Sequence, residues 1–236
     1  VLPFENLSDD SENEYFSNGI TEDILTNLSR IEDLHVRSRT SVMAYKDSRK
    51  SIREIAGELG VGTVLEGSVR RAANRVRVSV QLIDAISDRH LWADTFDRDL
   101  EDIFQVQSAI AETIARSLKT KLRPEEVERI RRPPTDNVDA YDHYLRGREA
   151  SRRSDADGAI AALEEAVSLD PDFAPAHGAL AGAYVQSMYW HGASPPEVLP
   201  KAKEHVTRAL ELDDEQALSW MAKGAISYHL DRAWIG

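Results

Sequence analysis

The sequence predicts an α/β domain followed by an all-α region, that is, a mixed sheet flanked by helices and then an α-solenoid of helical hairpins. Strand and helix patterns alternate over residues 1–123, and helical periodicity runs through residues 137–236. The stretch between them, residues 124–136, contains Pro133 and Pro134. Because proline removes a backbone donor and restrains the residue before it, this stretch is predicted to be a linker.

The first domain is predicted to follow the order β-α-β-α-β-β-β-α. Its strands are expected at residues 1–4, 34–37, 64–71, 75–82 and 91–96, and its helices at residues 20–31, 52–59 and 103–118. The strand at 75–82 alternates valine or leucine with polar residues, which is typical of an antiparallel strand with one wet face. Ser51 and Glu54 fit a capping box at the start of the second helix, and Gly60 is expected to end that helix.

The second half of the chain repeats itself. The tetratricopeptide pattern of 34 residues places small residues, large residues and a closing proline at fixed positions of two helices. Repeats that start at Ala140 and Ala174 fit this pattern, and a third starts at Ala217 after about nine extra residues. Small residues let the helices of a hairpin approach closely, and large ones fill the space between hairpins. Residues 137–236 therefore resemble about two and a half tetratricopeptide repeats, in an array that we expect to continue beyond the chain.

Six stretches of the first half carry a resemblance to a known family. They are VLPFENLS at 1–8, EYFSNGITED at 14–23, REIAGELGV at 53–61, LEGSVRR at 65–71, HLWAD at 90–94 and DRDLEDIF at 97–104. With these motifs, residues 1–122 resemble the TolB amino-terminal-like domain of bacterial signalling proteins, which is related to FlgO-type domains. The resemblance implies an α/β fold with no established chemistry of its own.

The same resemblance implies a place in a larger protein. In that family the domain is followed by tetratricopeptide repeats and preceded by an effector. The effector is a class III adenylate cyclase domain, a winged-helix DNA-binding domain of the CadC-type regulators, or a Ser/Thr protein kinase domain, often with a membrane span between. None of these effectors is visible in the sequence.

Composition and motifs argue against several kinds of site. The chain has no cysteine, which excludes disulfides, thiol nucleophiles and Cys-ligated metals. Its formal net charge of −12 disfavours contact with nucleic-acid phosphates. No apolar run is long enough for a membrane span, and no P-loop, nucleophile elbow or HExxH motif occurs. We therefore predict no catalytic residue, no cofactor, no metal site and no direct contact with nucleic acid.

One candidate ligand site is predicted at the amino end of the first long helix, after a polar loop over residues 6–18. In open α/β sheets, ligands bind beyond the carboxyl end of a strand, near the next helix N-terminus. The residues expected there are Ser17, Asn18, Gly19 and Thr21. They are candidates for binding a small polar or anionic ligand, and the alternative is that Asn18 or Ser17 only caps the helix.

A group of arginines in the first half permits two interpretations. Its members are Arg37, Arg39, Arg70, Arg71, Arg75 and Arg77. Alternating arginines on a strand can form a positive stripe that suits acids or phosphates. Because many carboxylates are nearby in the sequence, a solvated sheet face with cross-strand ion pairs is the favoured interpretation.

The repeats predict a surface for partners. By resemblance to the family, the first helix of each hairpin lines a concave groove with its second, fifth, ninth and thirteenth positions. In the first repeat these are Tyr141, Tyr144, Arg148 and Arg152. Aromatic residues and arginine dominate protein interfaces, and two of each would suit a peptide that bears carboxylates. The alternative is that both tyrosines pack against the first domain.

These observations favour a non-catalytic sensory or scaffolding region that binds protein or peptide partners and regulates an effector outside these residues. Family association favours an adenylate cyclase domain as the effector, then a winged-helix regulator, then a kinase. The rival hypothesis is that the TolB-like half binds a small ligand or hydrolyses it, but no nucleophile, base and orienting group can be assembled by spacing.

The cellular location and the oligomeric state stay open. The chain starts at Val1 in an apolar run, without Met or a signal peptide, so we expect an excerpt of a longer protein. A membrane span before the excerpt would put it on the periplasmic side of the inner membrane, and otherwise it is cytoplasmic.

Overall fold

The computed structural model describes residues 1–46 and 48–232. The strands are β1 (Glu5–Asn6), β2 (Thr63–Ala72), β3 (Arg75–Asp84) and β4 (Arg89–Asp99). The helices are α1 (Glu14–Ser29), α2 (Arg39–Met43), α3 (Ile52–Leu59), α4 (Ile103–Ser117), α5 (Pro124–Arg131), α6 (Val138–Arg152), α7 (Ala156–Leu169), α8 (Ala174–Trp190), α9 (Pro195–Leu212) and α10 (Ala217–Arg232). The chain divides into two compact units, Val1–Pro133 and Pro134–Gly236. An α/β unit followed by a helical unit agrees with the predicted fold class at this level.

The first unit is built on a mixed sheet with the strand order β1-β2-β3-β4. β1 pairs with β2 in parallel, and the two remaining pairs are antiparallel. In β3 the side chains of Val76, Val78, Val80 and Leu82 are buried, while the polar residues between them are exposed or half-buried. The sheet therefore has one core face and one polar face, as the alternation in the sequence predicts.

Helices α1 and α4 pack against each other and cover the core face of the sheet. Phe16, Ile20 and Ile24 of α1 are at most 1% exposed, and so are Ile103 and Ile110 of α4. Burying side chains of this size contributes about 1.5–3 kcal/mol each to folding. The amphipathic spacing that predicted the helices thus also identifies the core of this unit.

Helix α3 begins and ends as the sequence predicts. Ser51 Oγ accepts a hydrogen bond from Glu54 N (3.3 Å), and Glu54 Oε2 accepts one from Ser51 N (2.8 Å). Gly60 follows the helix with a φ of 64°, in the left-handed region that favours glycine. The capping box and the stop at Gly60 are both confirmed.

The predicted strand at residues 34–37 is wrong, because these residues have no regular secondary structure. Leu34 N donates to Ile31 O (3.0 Å), which turns the chain directly after α1. Leu34 and Val36 instead line an apolar cavity of ≈ 190 Å³. A pattern with only two apolar residues fits an extended loop over a cavity as well as it fits a strand.

The stretch predicted as a linker contains helix α5, which packs against α4. Glu126 holds this helix in place: its carboxylate accepts hydrogen bonds from Arg123 N (2.7 Å) and from Glu32 N (2.9 Å). Ser108 Oγ donates to Ile130 O (2.8 Å) at the other end of α5. Residues 124–131 are therefore part of the first unit, and an acidic capping residue after Pro124 was the sequence signal for this helix.

The second unit is a series of packed helices, with α6 against α7, α8 against α9, and α10 against both α8 and α9. Ala140, Ala159 and Ala166 are fully buried. A Cβ atom on Gly147 would lie 2.5 Å from Leu163 Cγ, so only glycine permits this approach of α6 to α7. The small residues of the repeat pattern therefore lie at helix contacts, although the pattern alone does not establish a tetratricopeptide solenoid.

Two further findings concern the helices and the end of the chain. None of the helices in the described part of the chain is long and apolar enough to cross a membrane. The predicted third repeat includes residues 233–236, which lie outside the described residues.

Candidate functional site

The four residues predicted as a ligand site lie inside a helix, because α1 begins at Glu14. They are Ser17, Asn18, Gly19 and Thr21, and all of them are buried. The predicted helix start near residue 20 is wrong, since Tyr15 and Phe16 (5% and 1% exposed) extend the buried face of the helix by more than a turn. No helix N-terminus is therefore available at these four residues to receive an anion.

Side chains in this part of α1 have structural contacts. Thr21 Oγ1 accepts a hydrogen bond from Phe4 N (3.0 Å) and donates one to Ser17 O (2.8 Å). Lys46 Nζ donates to Asn18 Oδ1 (3.4 Å). These contacts tie the segment before β1, and the residues after α2, to the middle of α1.

The two tyrosines predicted to line a partner groove are core residues of α6. Tyr141 is 1% exposed and Tyr144 is 6% exposed. The ring centroid of Tyr144 lies 5.0 Å from that of Phe173 and 6.4 Å from that of Tyr141. Rings buried to this degree cannot offer a face to a partner, so both are excluded from the candidate surface.

The two arginines predicted alongside them are half-buried on α6 and have fixed positions. Arg148 Nη1 donates to Tyr144 Oη (3.1 Å), and its guanidinium carbon lies 5.2 Å from the centroid of that ring. Arg152 Nη2 pairs with Glu149 Oε2 (2.7 Å). Because neighbours on the same helix already orient both guanidinium groups, less side-chain entropy is lost when they bind a partner.

Residues of α8 extend the area around these arginines. Gln186 Nε2 donates to Ser151 O (3.1 Å), which joins α8 to α6 beside Arg152. One turn earlier on α8, a Cβ atom on Gly182 would meet no atom within 4 Å. We call the set Arg148, Arg152, Gly182 and Gln186 the α6–α8 surface.

Sequence reasoning missed the α8 half of this surface, although a signal was present. Gly182 follows Arg148 by one repeat length, and Gln186 follows Arg152 by the same spacing. Applying the repeat to the two arginines would have identified both residues.

Charge on the α6–α8 surface is partly balanced from within. Burial raises the pKa of the Glu149 carboxyl, but the hydrogen bond and charge of Arg152, together with Arg153, outweigh burial and hold that pKa below its usual range. Glu149 is therefore ionised at neutral pH. The surface combines two oriented cations with one internal carboxylate, and bidentate guanidinium groups of this kind bind carboxylates well.

The arginines of the first half do not form a continuous positive stripe. Arg75 Nη2 and Arg77 Nη2 both pair with Asp97, at 2.5 Å each. Arg71 Nη1 donates to Tyr15 Oη (2.9 Å) on the core side of the sheet. The contacts of Arg75 and Arg77 match the interpretation of a polar sheet face with cross-strand ion pairs.

The remaining polar features of the two units are the acidic and histidine side chains and one cavity. Within the described ranges, no group of three or more His, Asp or Glu side chains is arranged to hold a metal ion. The ≈ 190 Å³ cavity of the first unit is lined mainly by aliphatic side chains, with His35, Arg37 and Thr63 as polar members. These polar members do not include a paired acid and base. The α6–α8 surface is therefore taken as the candidate site.

Comparisons with known proteins relate the chain to signalling proteins. Residues 1–113 match the family described as HilA/YgeH-like transcriptional regulator, second domain. The chain is also 41% identical over 237 residues to the "Putative adenylate cyclase 3" of Rhizobium meliloti (strain 1021). That alignment covers 94% of this chain and 40% of the relative. The sequence relationships therefore indicate a regulatory signalling region that spans less than half of its relative.

Among solved structures, the chain is similar to TolB from Acinetobacter baumannii. The similarity has a TM-score of 0.33 and a sequence identity of 16%, and it covers 50% of this chain and 28% of that one. A similarity this remote supports no inference about function.

Proposed function

We propose that this chain is the regulatory region of a larger signalling protein whose effector is an adenylate cyclase domain outside these residues. The observation that carries the proposal is the 41% identity over 94% of this chain to a protein named as an adenylate cyclase, of which the chain spans 40%. The remaining length of that relative is available for a catalytic domain. On this proposal the present residues bind and transmit, and they catalyse nothing.

A second candidate effector is a DNA-binding domain. The match of residues 1–113 to the second domain of HilA/YgeH-like transcriptional regulators favours it. In that case the first unit has the same regulatory role, and the domain that it regulates binds DNA. Both candidates assign the present residues a regulatory role, and only the domain that they control differs.

We further propose that the second unit is an array of tetratricopeptide-like hairpins that binds an acidic peptide through the α6–α8 surface. The 34-residue repeat in the sequence and the packing of α6 on α7 and of α8 on α9 support the array. The oriented guanidinium groups of Arg148 and Arg152 support the choice of a carboxylate-bearing peptide. Gly182 adds open space on α8 one turn before Gln186, because a Cβ atom there would meet no atom within 4 Å.

Replacing both Arg148 and Arg152 by alanine is expected to weaken peptide binding at least about tenfold, because each charge-assisted hydrogen bond is worth about 1.5–3 kcal/mol. The measurement is selection from a displayed library of short peptides rich in Asp and Glu, followed by calorimetric titration of the enriched peptide into the whole chain. Wild-type protein is expected to enrich acidic sequences.

Arg208→Ala is the matched control, because Arg208 lies on α9 and pairs with Asp172 (2.5 Å) away from the α6–α8 surface. This control is expected to bind the same peptide as tightly as the wild type. Equal binding by the Arg148/Arg152 double variant, or no enrichment of acidic peptides by the wild type, would refute the proposed surface.

A further inference from the structure

Two histidines from neighbouring helices of the second unit form a direct hydrogen bond. Nδ1 of His177 on α8 lies 2.9 Å from Nδ1 of His205 on α9. The ring centroids are 5.2 Å apart, and the ring of Tyr184 stacks on His205 at 6.1 Å. The contact joins α8 to α9 at the edge of a groove that is distinct from the α6–α8 surface. Sequence analysis could not find this pair, because the two residues are 28 positions apart on different helices.

The hydrogen bonds assign the position of each proton. His177 Nε2 lies 3.0 Å from Pro171 O, and a carbonyl oxygen can only accept. His177 therefore carries its proton on Nε2, which leaves Nδ1 as an acceptor. Since the opposing atom must then be the donor, His205 carries its proton on Nδ1. This is a specific arrangement of two neutral imidazoles, with His205 in the less common tautomer.

Charged groups surround the pair from several elements. Asp170 and Asp172 precede α8, Glu164 faces it from α7, and α9 contributes Lys201, Glu204 and Arg208. Tyr184 donates a hydrogen bond to Glu164 Oε1 (2.5 Å) and thereby occupies that carboxylate.

Helix α10 also reaches this region. Its neutral Ser219 lies beside Gly178, the residue that follows His177. The two imidazole rings therefore have both carboxylates and cations as neighbours.

We propose that the His177–His205 pair makes the contact between α8 and α9 sensitive to acid. A first proton can be added at His205 Nε2, because the Nδ1–H of the resulting imidazolium still donates to His177. A second proton has only His177 Nδ1 to bind, and it would place one N–H against another. Full protonation therefore breaks the hydrogen bond and separates two positive rings.

The surroundings of His177 and His205 determine whether acid stabilises or destabilises the fold. Burial lowers the pKa of His177 and of His205, and the charge of His177 lowers that of His205 further. Because the folded pair binds protons more weakly than the unfolded chain, its contribution to stability is complete above pH 6.5 and is lost as the pH falls through the lowered values. Two interacting histidines titrate as a pair, so this loss belongs to both.

The tautomers provide a test that needs no variant. Long-range proton–nitrogen NMR spectra of the whole chain at pH 7.5 distinguish the two protonation sites of each imidazole. The expected result is an Nε2–H tautomer for His177 and an Nδ1–H tautomer for His205. Finding His205 protonated on Nε2, or either ring charged at pH 7.5, would overturn the proposal.

The consequence for the fold is tested by amide hydrogen exchange of α8 and α9 in the whole chain at pH 7.5 and pH 5.0, corrected for intrinsic exchange rates. Protection is expected to fall at the lower pH, about tenfold for each unit by which folding lowers the pKa of the pair. The double variant His177→Phe/His205→Phe, which replaces both partners by rings, is expected to show no such fall.

His143→Phe is the matched control, because His143 precedes His177 by one repeat length on α6. It should keep the acid sensitivity of the wild type. Equal protection of the wild type at the two pH values, or the same fall in the double variant as in the wild type, would contradict the proposal. The tautomer measurement remains decisive if the double variant does not fold.

Discussion

Replacing Gly147 by alanine is expected to destabilise the helical unit by about 1–3 kcal/mol, although alanine is the better helix former by about 1 kcal/mol. The added Cβ would lie 2.5 Å from Leu163 Cγ and 3.2 Å from Ala159 O. Leu163 is fully buried, so its side chain has no space into which it can move. Urea unfolding followed by circular dichroism measures the loss.

Gly182 provides a matched control, because it is also a glycine within a first helix of a hairpin and has open space around its missing Cβ. Gly182→Ala is expected to raise the free energy of unfolding by up to about 1 kcal/mol through helix propensity alone. The two substitutions are chemically identical and have opposite expected signs. A similar effect of both variants would show that α6 and α7 do not approach each other at Gly147.

Replacing Tyr144 by alanine is expected to cost about 3–5 kcal/mol of stability, the range for removing a buried aromatic ring. The ring is 6% exposed and packs on Phe173. Thermal unfolding of the variant should therefore show a large fall in Tm. This expectation follows from the structure and reverses the one that the groove position of Tyr144 suggests.

Two variants separate packing from binding at this position. Tyr144→Phe keeps the ring and removes the hydroxyl that accepts the hydrogen bond from Arg148, so a cost of about 0.5–1.5 kcal/mol is expected. Arg148→Ala loses the same hydrogen bond, so it should cost about 0.5–1.5 kcal/mol, well below the cost of Tyr144→Ala, while it weakens peptide binding. If Tyr144→Ala kept the wild-type Tm and lost the peptide, Tyr144 would be an exposed binding residue and the assignment of the α6–α8 surface would be wrong.

The elements that could be predicted from the sequence are those with long or chemically specific patterns. The valine alternation of β3, the amphipathic stripe of α4 and the capping box at Ser51 each bring several residues to one conclusion. Residues 34–37 were misassigned because a short apolar pattern does not distinguish a strand from a loop that lines a cavity. Local patterns predict local structure, but whether a segment pairs with a sheet depends on residues that are distant in the sequence.

The candidate site was only half predictable. The repeat positions selected Arg148 and Arg152, which are half-buried, together with Tyr141 and Tyr144, which are buried, because a position in a repeat does not reveal how much of a side chain its neighbours cover. Likewise, α1 starts at Glu14, so the proposed ligand residues lie where backbone groups are already bonded within the helix. Tertiary packing decided both cases, and packing between distant residues is what the sequence alone does not display.

The regulatory role is tested most directly by transplanting the chain. In the Rhizobium meliloti relative, this chain would replace the stretch that it matches, and the rate of cyclic AMP formation would be measured. We expect the isolated chain to form no cyclic AMP, the chimera to retain the parent's activity, and deletion of the stretch to change the rate several-fold. Cyclic AMP formation by the isolated chain would contradict a regulatory role, and so would a rate that the deletion leaves unaltered.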